Sequence, residues 1–184
     1  MLLRTIRFVF AAIIVCSATA VQAAALSDLA KGEMQNVAIH SNPQPLPPLK
    51  FKNGTGKDLT LGDFRGKVLF LNLWATWCAP CRHEMPSIDK LQAELGGDDF
   101  QVLAISIDRA GPKKAQAFLD EIKANRLDLY IDKTTKISRK LRAFGLPISL
   151  IIDRKGREIA RLAGPAEWAS PDALALIRAA IARK

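Results

Sequence analysis

Apolar and polar positions alternate with different periods along this chain, and the changes of period mark its elements. Lys67 to Trp74, KVLFLNLW, is almost continuously apolar and interrupted by Asn72. That pattern predicts a strand buried on both faces. From Cys81 to Leu95 the period becomes helical through Met85, Ile88, Leu91 and Leu95, and Gly96-Gly97 ends the run. FQVLAISID (100–108) reads as a second buried strand, and Pro112 opens a helix over Lys113 to Ala124. LDLYID (127–132) predicts a short strand, and Thr135 to Phe144 a basic helix. LPISLIID, the turn RKG and REIARLAG predict a hairpin, and Ser170-Pro171-Asp172 starts a last helix with Leu174, Ile177 and Ile181 apolar. Upstream, LKFKNGTGKDLTL carries Asn53-Gly54 between alternating arms, a hairpin signal. Strands alternating with helices, then an antiparallel hairpin and a closing helix, predict an α/β sandwich of three layers around a mixed sheet.

The stretch before this pattern reads differently. Residues 24–44 are weakly amphipathic, with a short helix predicted at Ser27–Met34, and then run into SNPQPLPPL. Proline removes backbone donors and favours extended chain, so 24–44 is expected to be a linker to a domain at 45–184. Further upstream, Arg4 and Arg7 precede the apolar run Phe8 to Ala20, and Val21 and Ala23 sit as the small residues of a cleavage site. This predicts a signal peptide or N-terminal membrane anchor over 1–23, with the domain outside the cytoplasmic membrane in either case.

Composition narrows the chemistry. The 184 residues carry a formal net charge of +9, with no dense basic tract interleaved with aromatics, so nucleic acid is not an expected partner. Of the three cysteines, Cys16 falls in the apolar leader, which leaves Cys78 and Cys81. Two cysteines are too few for a closed zinc site. Their candidate roles are a static disulfide, part of a copper site with a histidine such as His83, or a thiol–disulfide pair. A bond closing so short a loop restrains little of the unfolded chain and makes a poor staple. Cys78 falls where a buried strand hands over to a helix, whose N-terminal N–H groups favour thiolate over thiol. Cys78 is therefore the expected nucleophile, and Cys81, one turn further in, the resolving thiol.

The stretch WATWCAPCRHEMP, with LGDFRGKVLFLNLW before it, VLAISID after it and FGLPISLIIDRKGREIARLAG further on, resembles the TlpA/ResA-like family of exported thioredoxin-fold thiol–disulfide oxidoreductases. The resemblance covers about residues 45–184. It implies a thioredoxin-like fold with an N-terminal hairpin and a central insertion at about 127–144. It also implies protein disulfides as substrates, a membrane donor of electrons, and no organic cofactor or metal, because the cysteine pair carries the electrons. Members commonly serve partners in cytochrome c or cytochrome oxidase maturation. Three residues match the family's pattern singly. Pro147 matches its cis-proline, Glu84 its active-site acid, and Trp77 its aromatic neighbour of the nucleophile, so Trp77 and Pro147 are expected to meet substrate. Asn72 stands where ordinary thioredoxins carry a buried aspartate, and since asparagine cannot take a proton from the buried thiol, more weight falls on Glu84. Two rivals stand beside this reading: a copper-binding chaperone for oxidase assembly, and a dithiol oxidase.

Overall fold

The computed structural model describes residues 26–183. The predicted signal or anchor at 1–23, with Cys16, lies outside the described residues. Eight strands form one mixed sheet: β1 (Ala38–Pro45), β2 (Lys50–Asn53), β3 (Asp58–Thr60), β4 (Val68–Trp74), β5 (Phe100–Ser106), β6 (Tyr130–Ile131), β7 (Ile148–Ile152) and β8 (Arg157–Ala163). Their order across the sheet is β1-β8-β7-β4-β5-β6-β2-β3. The helices are α1 (Ala79–Leu95), α2 (Pro112–Glu121), α3 (Lys136–Lys140) and α4 (Pro171–Ala182). Among the described residues no helix is long and apolar enough to cross a membrane.

β4 is central, and every one of its residues is buried, as its unbroken apolar run requires. It pairs in parallel with β5 and antiparallel with β7. β5 in turn pairs in parallel with β6. Three parallel strands therefore end at the same side of the sheet, and β7 enters from that side. The loops after Trp74, Ser106 and Ile131 and the loop before Ile148 all meet there. Open α/β sheets place their chemistry at this end.

Of the linker expected over 24–44, the described part, 26–44, instead belongs to the fold. Residues 38–45 are strand β1, which pairs with β8, and Leu26, Met34 and Val37 are buried in the core. The prolines do not prevent this, because an edge strand leaves one row of backbone donors unpaired in any case. From Ile39 to Gln44 the register slips, β8 advancing only from Ala160 to Glu158 over that stretch. His40 lies in the slip and meets Glu158 at 2.6 Å. Burial pushes the Glu158 carboxyl up, but hydrogen bonds from Arg161 and His40 outweigh it and hold the group below the usual carboxylate range. Of the helix predicted at Ser27–Met34 only Ser27 is helical, followed by a turn and a single 3₁₀ turn at Gly32–Met34.

The 127–144 segment supplies β6 and α3. Its helix is shorter than the predicted Thr135–Phe144. Arg142 takes the left-handed conformation at φ 53°, which stops helical propagation and turns the chain toward Pro147.

Candidate active site

β4 delivers the chain to the parallel end of the sheet, and Ala75–Trp77 turn it into α1. Cys78 caps that helix: its Sγ accepts from the backbone N–H of Cys81 at 3.2 Å. The two sulfurs form a disulfide, with Cα atoms 5.3 Å apart. Cys78 is 6% exposed and Cys81 fully buried, so both are largely inside the fold and Cys78 is the more accessible of the two. Trp77, next to the outer cysteine, is 64% exposed rather than packed inside. Pro147 follows a cis Leu146–Pro147 bond. It lies one residue beyond the paired Leu73 and Ile148, at the end of β4 from which the cysteine loop departs, and its carbonyl accepts from Gly164 N–H at 2.9 Å.

Glu84 sits on the buried face of α1, 2% exposed. Asn72 from β4 donates its Nδ2–H to Glu84 Oε1 at 2.8 Å and to Ser149 Oγ of β7 at 3.0 Å. The other carboxyl oxygen accepts from Ala166 N–H at 3.2 Å and from the Trp168 indole N–H at 3.3 Å. Burial raises the Glu84 pKa to about 7, and the hydrogen bonds from Asn72, Ala166 and Trp168 offset only part of that rise, Asn72 most. Charge is therefore poised to leave or enter Glu84 near neutrality. Ser87 continues the same contact zone, donating to the Glu84 carbonyl at 2.8 Å and accepting from Trp168 N–H at 3.0 Å.

A second buried acid supports the cysteine loop from the other side. Asp108, just past β5, accepts from Thr76 N–H at 2.9 Å, Thr76 Oγ1 at 2.8 Å and Ser106 Oγ at 2.9 Å. Thr76 lies two residues before Cys78, so this carboxylate fixes the loop that presents the sulfur. Sequence reading singles out neither Asp108 nor Ser149, Ala166 and Trp168. An acid directly after a buried strand, at the end where parallel strands finish, is the signal that points to Asp108. His83, the candidate third metal ligand, is exposed, and among the described residues no three His, Cys, Asp or Glu side chains converge as a metal site.

A cysteine pair astride the first turn of a helix, at the parallel end of a mixed sheet, defines a thioredoxin-like protein. Comparison with known families matches residues 43–159 to the AhpC/TSA family, and the chain belongs to that family. Among curated relatives it is 36% identical over 115 residues to the thioredoxin-like protein YneN of Bacillus subtilis, covering 61% of this chain and 66% of YneN. It is 33% identical over 113 residues to the thiol:disulfide interchange protein HelX of Rhodobacter capsulatus, covering 61% of each chain. It is 32% identical over 109 residues to the thiol-disulfide oxidoreductase ResA of Bacillus cereus, covering 59% of this chain and 62% of ResA. The chain thus spans a little under two thirds of the length of these relatives. Among solved structures, a Chlorobium tepidum chain assigned as a thiol:disulfide interchange protein DsbE superposes with a TM-score of 0.68 at 28% identity, covering 78% of this chain and 99% of that one.

Proposed function

We propose that this protein is an extracytoplasmic thiol–disulfide oxidoreductase that reduces disulfides in partner proteins. The observation that carries the reading is the asymmetric sulfur pair: Cys78, 6% exposed, caps a helix N-terminus, and Cys81 lies fully buried behind it on the helix that also holds Glu84. The names of YneN, HelX and ResA support the same chemistry, and the leader sequence supports the location. Partners of the cytochrome c or oxidase maturation type fit that location.

In the reduced protein the helix terminus stabilises the Cys78 thiolate. That thiolate attacks one sulfur of a partner disulfide, forming a mixed disulfide and releasing the partner's first thiolate. Cys81 then gives up its proton and attacks Cys78 Sγ. The Cys78–Cys81 bond forms, the mixed disulfide breaks, and the partner leaves with both cysteines reduced, two electrons having passed to it. Glu84, held near neutrality, is the acceptor for the Cys81 proton. Trp77 and Pro147 border the approach to Cys78. A dithiol donor at the membrane returns the pair to its reduced form.

Equilibration against dithiothreitol and glutathione buffers tests this. A potential near the roughly −270 mV of thioredoxin is expected, and one near about −120 mV identifies a dithiol oxidase instead. Cys81→Ser should accumulate a mixed disulfide through Cys78. Absence of that adduct with any protein disulfide removes the oxidoreductase reading.

A further inference from the structure

Among the described residues, the exposed large apolar side chains are Trp77 at 64% and Phe144 at 100%. Both belong to the end of the sheet that carries the sulfurs. Trp77 precedes Cys78, and Phe144 lies on the loop that leads from α3 to Pro147. Two bare aromatics, one beside Cys78 and one three residues before Pro147, on an otherwise well-buried apolar inventory mark a contact surface. The backbone spends strain to present one of them, since Arg142 holds a left-handed conformation two residues before Phe144.

Charge around these rings has one sign. Residues 133–146 carry Lys133, Lys136, Arg139, Lys140 and Arg142 and no acid. The neighbouring loop and the first turn of α2 add Arg109, Lys113 and Lys114, all exposed. The two segments touch, because Lys133 lies against Gly111. The two acids of this region are buried and already engaged: Asp108 holds Thr76 and Ser106, and Asp132 accepts from Thr134 and Ile137. Among the described residues none of the eight cations is in an ion pair, although Lys140 donates to the carbonyl of Pro48. Lysines in the first turn of α2 also oppose the helix dipole, an arrangement that works against stability. Local rules broken together at one place point to function.

We infer that this rim is the docking surface for the disulfide partner, and that the partner is a protein segment with acidic residues and an apolar side chain beside its disulfide. Phe144 and Trp77 cover the apolar residue, and the α2 and α3 cations meet the carboxylates. The field of the rim speeds encounter and selects among partners. This rests on the oxidoreductase reading above and adds the class of substrate.

The test compares two synthetic peptides with the same internal disulfide, one flanked by glutamates and one by lysines, and a small neutral disulfide, hydroxyethyl disulfide. All are reacted with the reduced full chain. At low salt the glutamate peptide should react at least about tenfold faster than the lysine peptide, a gap that closes near 1 M salt, where the screening length falls to about 3 Å. The double variant K136E/R139E should abolish or invert the preference, and F144S should slow the glutamate peptide severalfold. Both variants should leave the neutral disulfide at the wild-type rate, and circular dichroism checks their fold. Equal rates for the two peptides, or a preference that survives K136E/R139E, overturns the proposal. A calorimetric arm uses the glutamate peptide with serines in place of its cysteines, so it reads binding without redox chemistry. Failure to reduce even the neutral disulfide counts against the oxidoreductase reading, and the calorimetry still decides the surface. Binding of the wild type to phosphatidylserine vesicles, lost in K136E/R139E, with no binding of the peptide, assigns the rim to a membrane and overturns the proposal.

Discussion

Glu84→Gln keeps the outline of the side chain and removes the proton that titrates. In the wild type the carboxyl moves from its usual 4.5 to about 7 on folding, because burial disfavours the charged form. Between those two pH values the folded protein keeps a proton that the unfolded chain has released. Stability contributed by the neutral carboxyl is therefore complete below about pH 4.5 and is lost as the pH rises to about 7. At about 1.4 kcal/mol per pH unit, the ionised carboxylate in this site costs about 3 kcal/mol. The glutamine variant has no such dependence. Its amide can be satisfied if Asn72 turns, so that Asn72 Oδ1, which has no partner in the wild type, accepts from the new NH₂. Urea unfolding of the oxidised protein at intervals from about pH 4 to about pH 8 is the assay. The difference in unfolding free energy between wild type and Glu84→Gln should shift by about 3 kcal/mol in favour of the variant across that range, with an unchanged urea dependence. The variant should also resolve mixed disulfides about 10²-fold more slowly or worse near pH 7, as expected for loss of a general base. Two parallel pH–stability curves would show that Glu84 titrates like an exposed glutamate, and would remove the basis for its role in proton transfer.

Two further outcomes follow from the packing. Asp108→Ala leaves Thr76 N–H and two buried hydroxyls without their acceptor, at about 1–3 kcal/mol for each group left unpaired, so a marked drop in thermal midpoint is expected. Asp108→Asn should recover part of it, and wild-type midpoints for both would show that the loop before Cys78 is held by other contacts. A chain beginning at Leu46 lacks β1 and the buried Leu26, Met34 and Val37. At about 1.5–3 kcal/mol for each buried side chain, that loss rivals a typical net stability of about 5–15 kcal/mol, so calorimetry should find it unfolded or far less stable. A midpoint equal to the full chain's would restore the linker reading.

Elements that bury a continuous or periodic face were legible in the sequence. β4 announces itself in KVLFLNLW, α1 in its 3.6-residue period, and β7–β8 in two apolar arms around a tight turn. The cysteine pair was legible for the same reason, since strand, turn and helix follow one another locally. β1 was hidden because its burial shows no alternation and its prolines imitate a linker. The surroundings of Glu84 were hidden for a different reason. Asn72 lies 12 residues from it in sequence and Trp168 lies 84 away, and only the closed sheet brings them to one carboxyl. Burial of Glu84 follows from its position on α1, but the partners that hold it depend on long-range pairing that no local pattern encodes.

β1 also decides how this sheet ends. Without it, β8 would present an open row of backbone donors and acceptors beside Ile159, Ala160 and Leu162, a template on which another chain could add a strand and begin to aggregate. β1 covers that row and turns its own outer side into a poor template. Pro43 and Pro45 carry no N–H to donate, and the slipped register between Ile39 and Gln44 breaks the regular spacing that a further strand would need. At the opposite edge β3 is only three residues long and carries Asp58. The prolines that make this segment look like a linker thus also make the edge it forms a poor template for a further strand.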